Sequence, residues 1–130
     1  MQKHGLRSRI IKVLPWFLAA SFLGSARVLA CTEGKQAYAF EDLSVSSSAV
    51  TLTSATYTTN APATCAEVLV DNADIRYRID SGTPTTTSGH QKSSGDTIYI
   101  SNDNRTTNIN NAKFIRRTST DAHVHVTYWR

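Results

Sequence analysis

Asp121-Ala-His-Val-His-Val-Thr-Tyr-Trp-Arg130 is the stretch that decides the fold. Ala122, Val124, Val126 and Tyr128 alternate strictly with His123, His125, Thr127 and Trp129. A period of two is the signature of a β-strand, whose successive side chains point to opposite faces. The first set reads as core and the second as an outward face. Working back along the chain, the same alternation recurs in Ala66-Val68-Val70 (with Glu67 opposed), in Ile75-Tyr77-Ile79 (with Arg76 and Arg78 opposed) and in Ile98-Ile100. Tyr38 and Phe40, Val50 and Leu52, and Phe114-Ile115 mark three further segments. About seven short strands are expected.

Composition agrees with this reading. Ser and Thr supply 28 of the 100 residues from Cys31 to Arg130, and Asn supplies seven more. These residues disfavour helix interiors, whereas Thr suits a pleated surface. No stretch repeats apolar residues at helical spacing over three turns. Turn chemistry separates the strands at Asn60-Ala-Pro62, Asp71-Asn72, Asp80-Ser-Gly-Thr-Pro84, Ser93-Ser-Gly-Asp96 and Ser101-Asn-Asp-Asn104. Thr83–Ser94 and Asn102–Asn111 read as the longest loops. The fold class is all-β: a single antiparallel β-sandwich spanning residues 31–130, with a small barrel as the alternative.

Residues 1–30 read differently. They hold five of the fourteen basic residues and none of the ten acidic ones, so the rest of the chain carries nine against ten, a net of −1. The formal charge of +4 is therefore an N-terminal property, and no basic patch remains for a nucleic-acid backbone. A basic segment, then the apolar run Val13–Leu23, then Val28-Leu29-Ala30 match a cleavable signal peptide. The run is too short for a membrane span, which needs about 20 apolar residues. An extracytoplasmic location, periplasmic or secreted, follows as an expectation.

Cleavage after Ala30 makes Cys31 the first residue of the processed chain, with two possible fates. Two cysteines in an exported domain read as a disulfide, Cys31–Cys65. Val-Leu-Ala-Cys31 also resembles a lipobox, in which Cys31 is acylated and anchors the protein to the cell envelope. Membrane association is expected only in that second case. The spacing of the two cysteines is unlike a redox C-x-x-C motif.

Chemistry-bearing groups are sparse. His123 and His125 share one face of a strand and form a possible metal-ligand pair, but no third ligand is placed beside them. Exposed strand residues are the expected outcome, and neither a metal nor a cofactor is expected. His90 sits in the polar Thr83–Ser94 stretch without a nucleophile elbow. Glu33, Glu41 and Glu67 offer no acid–base pair of the glycosidase kind. Asn102-Asp-Asn104 lacks the density of a calcium loop, and no Gly-rich phosphate loop is present. Trp129, on the outward face of the last strand, is a candidate for stacking on a sugar or anchoring a protein interface. Arg76 and Arg78 are expected to make exposed cross-strand ion pairs.

Ala73-Asp-Ile-Arg-Tyr-Arg-Ile-Asp80, Gly82-Thr-Pro-Thr85, Gly89-His90, Gly95-Asp96, Phe114-Ile-Arg116, Thr120-Asp-Ala122 and Val126-Thr-Tyr128 follow one another in a familiar order. Over roughly residues 45–130 the chain resembles the small accessory structural proteins of tailed bacteriophages. Two features depart from that pattern: Ser81 lengthens the Asp-Gly turn, and such virion proteins lack a signal peptide and these cysteines. The resemblance implies a compact β-domain for assembly or decoration, without catalysis, in which His90 and the Pro84 region shape a loop. The expected function is thus a non-enzymatic surface-contact module for assembly, decoration or adhesion. Its partner would be a protein or glycan surface, or a second copy. One alternative is a carbohydrate-binding module using Trp129 and the His90 loop. A small metal-dependent hydrolase at His90, or at His123 and His125, is the other.

Overall fold

The computed structural model describes residues 31, 33–59, 61–102 and 108–130. The segment read as a signal peptide, Asn60, and Asp103-Asn104 of the loop weighed for calcium lie outside the described residues. The elements run β1 (Ala37–Val45), β2 (Val50–Thr51), α1 (Ser54–Tyr57), β3 (Cys65–Asp71), β4 (Ile75–Arg78), β5 (His90–Lys92), β6 (Thr97–Ser101), α2 (Asn108–Asn111), β7 (Lys113–Arg116) and β8 (Ala122–Trp129).

The strands form two four-stranded sheets, ordered β1-β8-β3-β6 and β2-β7-β4-β5, with antiparallel pairing throughout. They pack face to face as a sandwich, so the fold-class expectation holds and the barrel alternative does not. Each sheet ends in two edge strands, β1 and β6 in one and β2 and β5 in the other, and neither closes on itself. The alternation in β8 is realised in full. Ala122, Val124, Val126 and Tyr128 are completely buried, meeting Ala66, Val68, Val70, Ile75 and Phe114 in one core.

Several local expectations are corrected. The Thr83–Ser94 stretch contains β5, because Tyr77 pairs with His90 and Ile75 with Lys92. Part of the Asn102–Asn111 stretch is the single turn α2, whose Ile109 plugs the core while its N–H bonds Asn102 Oδ1 at 2.9 Å. The first strand extends to Val45 rather than stopping at Phe40, and β2 ends at Thr51. Arg76 and Arg78 do not form cross-strand ion pairs. Arg78 instead grips Asp80, two residues along, with both ends of its guanidinium (2.9 and 2.5 Å).

Arg76 has another task. It donates to the carbonyls of Thr86 (3.0 Å) and Gly89 (2.9 Å), while Lys113 beside it donates to Ser81 O (3.1 Å) and Thr83 Oγ1 (3.3 Å). These bonds strap the loop from residue 79 to residue 89 across the outer face of the second sheet, and Pro84 is fully buried beneath it. Ile115, opposite Arg76 on that face, is buried as well.

Cys31 and Cys65 form a disulfide with Cα atoms 5.2 Å apart, and both residues are fully buried. On the edge strand β1 of the same sheet, Glu41 turns inward, in the row of Val126. Its Oε1 accepts from the Thr53 N–H (3.0 Å) and from the Tyr128 hydroxyl. An inward-pointing charge on an edge strand is a known guard against pairing with a further strand.

Candidate functional site

The functional site is sought on the outer face of the first sheet, whose register brings side chains from four strands into rows. Residues directly opposite one another in an antiparallel ladder project from the same face. One row reads Ala37, Trp129, Cys65, Ser101; the next Phe40, Thr127, Glu67, Tyr99; the next Asp42, His125, Leu69, Thr97; the last Ser44, His123, Asp71. Phe40 is 57% exposed, Tyr99 50% and Leu69 41%; all three exposed large hydrophobic residues of the described chain belong to this face. Beside Phe40 and Thr127 lies an open depression of about 350 Å³, also lined by Ala37, Tyr38 and Ala39.

His125 organises the middle of the face. Its Nδ1 is hydrogen-bonded to Asp42 on β1, its Nε2 lies 3.5 Å from Asp71 on β3, and its ring stacks on Phe40 with centroids 6.5 Å apart. The Asp42 carboxylate, reinforced by Asp71, holds the imidazole pKa above its ordinary value. Asp71 is pushed the other way, below the usual carboxylate range, by the Asn72 N–H and then by His125. Both ring nitrogens of His125 are thus engaged by carboxylates.

Charge is segregated between the sheets. The strands β1, β8, β3 and β6 carry Glu41, Asp42, Glu67 and Asp71 and no Lys or Arg. The strands of the second sheet carry Arg76, Arg78, Lys92, Lys113 and Arg116 and no carboxylate. Most of those cations are satisfied locally, by the strapped loop, by Asp80, or by Asp121 in the case of Arg116 (2.5 Å). Among the described residues the acidic, partly apolar face carries no comparable strap over Phe40, Leu69 and Tyr99, although Cys31 covers its Cys65 end.

The residues singled out in the sequence separate into two places. His123, His125 and Trp129 do share the outer face of β8. Trp129, however, is half-buried rather than exposed, and its indole Nε1 is buried without a partner. His90 belongs to the edge strand of the other sheet, so the structure does not join it to Trp129. Its ring lies 5.3 Å from Tyr77, in a polar cleft of about 350 Å³ with Arg78, Asp80, Ser88 and Gly89. Among the described residues no group of three or more His, Cys, Asp or Glu is placed to hold a metal ion.

Sequence reasoning missed Phe40, Glu67, Leu69 and Tyr99 as members of one surface. A signal was there for two of them. Leu69 lies between Val68 and Val70, and Tyr99 between Ile98 and Ile100, so each is an apolar residue in the outward phase of its strand. Compared with models of known protein families, with curated proteins and with solved structures, the chain finds no match.

Proposed function

We propose that residues 31–130 form an exported, non-enzymatic contact module that works in assembly, decoration or adhesion through the outer face of its first sheet. One observation carries this reading. Phe40, Leu69 and Tyr99 are exposed on a single face, whereas the equivalent face of the second sheet is closed by its own loop. Leu69 and Tyr99 are diagonal neighbours on β3 and β6, Phe40 lies at the other edge of the same face, and exposed apolar side chains gathered on one face mark an interaction site. The order of motifs, which resembles that of phage accessory structural proteins, supports an assembly role. The signal-peptide pattern of residues 1–30 and the Cys31–Cys65 disulfide support export.

The test compares the wild-type domain with a Phe40→Ser, Leu69→Ser, Tyr99→Ser triple variant. Co-sedimentation with envelope and virion fractions is expected to show association for the wild type and none for the variant. The three side chains are largely exposed, so the fold should be little affected. A wild-type protein that sediments with neither fraction would sink the proposal.

A further inference from the structure

The contact face carries a requirement for its partner, centred on Glu67. This carboxylate sits on the central strand β3, directly opposite Tyr99 on one side and Thr127 on the other, with Leu69 two residues along the same face. Neighbouring strands are about 4.8 Å apart, so Glu67 stands among the exposed apolar side chains rather than at their rim. No hydrogen bond or ion pair engages it within the described residues, whereas Asp42 and Asp71 share His125. The four strands of the sheet offer no Lys or Arg to neutralise it.

A partner that covers Leu69 and Tyr99 must also cover Glu67. Removing an unpaired carboxylate from water is strongly unfavourable unless an opposite charge replaces the lost hydration. We infer that the face binds a protein segment presenting an Arg or Lys flanked by apolar residues, the cation seated between the Glu67 carboxylate and the Tyr99 ring. The aromatic ring contributes a second attraction for the same cation. The depression beside Phe40 and Thr127 receives an apolar neighbour of that cation. Face-to-face pairing of two copies fits poorly, because the strands of the second copy's face would bring no Lys or Arg to Glu67.

This inference rests on the contact-module reading, and the experiment separates the two. Short random peptides displayed on yeast are selected on the full domain, and the enriched sequences are synthesised and titrated by fluorescence polarisation. Titrations use the wild type, Glu67→Gln and the Phe40→Ser, Leu69→Ser, Tyr99→Ser variant. Enriched peptides are expected to carry Arg or Lys between apolar residues. Binding should weaken about tenfold or more with Glu67→Gln, or when citrulline replaces the peptide arginine. The triple variant should not bind.

Enriched peptides without a basic residue, or equal binding to Glu67→Gln, overturn the cationic partner while leaving the contact face standing if the triple variant still fails. A wild-type dimer that Leu69→Ser disperses and Glu67→Gln does not would make a second copy the occupant, and likewise overturns the inference. Failure to enrich any peptide, or peptides that bind the triple variant as well as the wild type, removes the contact face and the inference together.

Discussion

His125 Nδ1 is hydrogen-bonded to Asp42 directly across the β8–β1 ladder, and its Nε2 faces Asp71 across β8–β3, so one imidazole ties three strands together. The consequence is a pH dependence with a defined sign. The folded state raises the His125 pKa above 6.5, chiefly through Asp42. This contribution to stability is fully present below 6.5 and is lost as pH rises through the folded value. Asp71 is lowered from 3.8, so its contribution is present above 3.8 and lost as pH falls through its folded value. The Tm of the wild type should exceed that of His125→Gln most clearly between those two ranges, and the gap should close in alkali. A gap that does not change with pH would show that the pairing contributes nothing; the exposure of these groups keeps the expected effect small.

Tyr128→Phe should destabilise the domain by about 1–3 kcal/mol, measured by urea unfolding. Burial first, and Glu41 second, raise the Tyr128 hydroxyl above the ordinary phenol range, so it remains a neutral donor to Glu41. Removing it leaves the inward-pointing carboxylate with the Thr53 N–H alone. An unchanged urea midpoint would mean that Glu41 swings out to water at little cost.

Reduction of Cys31–Cys65 should lower stability by about 3–4 kcal/mol, from the entropy of the loop that the bond closes. That loop spans a sequence separation of 34. Intact mass of protein from its native source should show two alkylated thiols after reduction and none before it. A mass heavier by acyl chains would put Cys31 on the lipidation path instead.

Gly89→Ala should be costlier than Gly95→Ala, although both glycines have positive φ (+121° and +90°). A Cβ at Gly89 would lie 3.0 Å from Tyr77 O and 3.2 Å from Pro84 Cβ, whereas one at Gly95 meets nothing within 4 Å. Backbone strain of about 1–3 kcal/mol applies to either, and the clash with the strapped loop adds to it only at Gly89. Equal melting temperatures for the two variants would show that the loop moves aside freely.

The two histidines of β8 show how far the sequence could be read. Their shared outward face was legible, because a strand's period of two needs no knowledge of its neighbours. That Asp42 and Asp71 would flank His125 was not, since those carboxylates lie 83 and 54 positions away in the chain and meet it only through the β1-β8-β3 order. Phe40 was harder still. A register irregularity between Ala37 and Ala39 sends Phe40 outward while Tyr38 packs against the core, so the simple alternation that joined them failed.

The sequence alone determined the all-β class, the core face of β8 and the pairing possibility of Cys31 with Cys65. Each follows from local periodicity, composition or count. Only the tertiary structure decided which sheet is strapped by its own loop and which residues share a face with Glu67. Sheet order and register bring together groups that are distant in the chain, and side-chain alternation within one strand carries no record of what lies on the next.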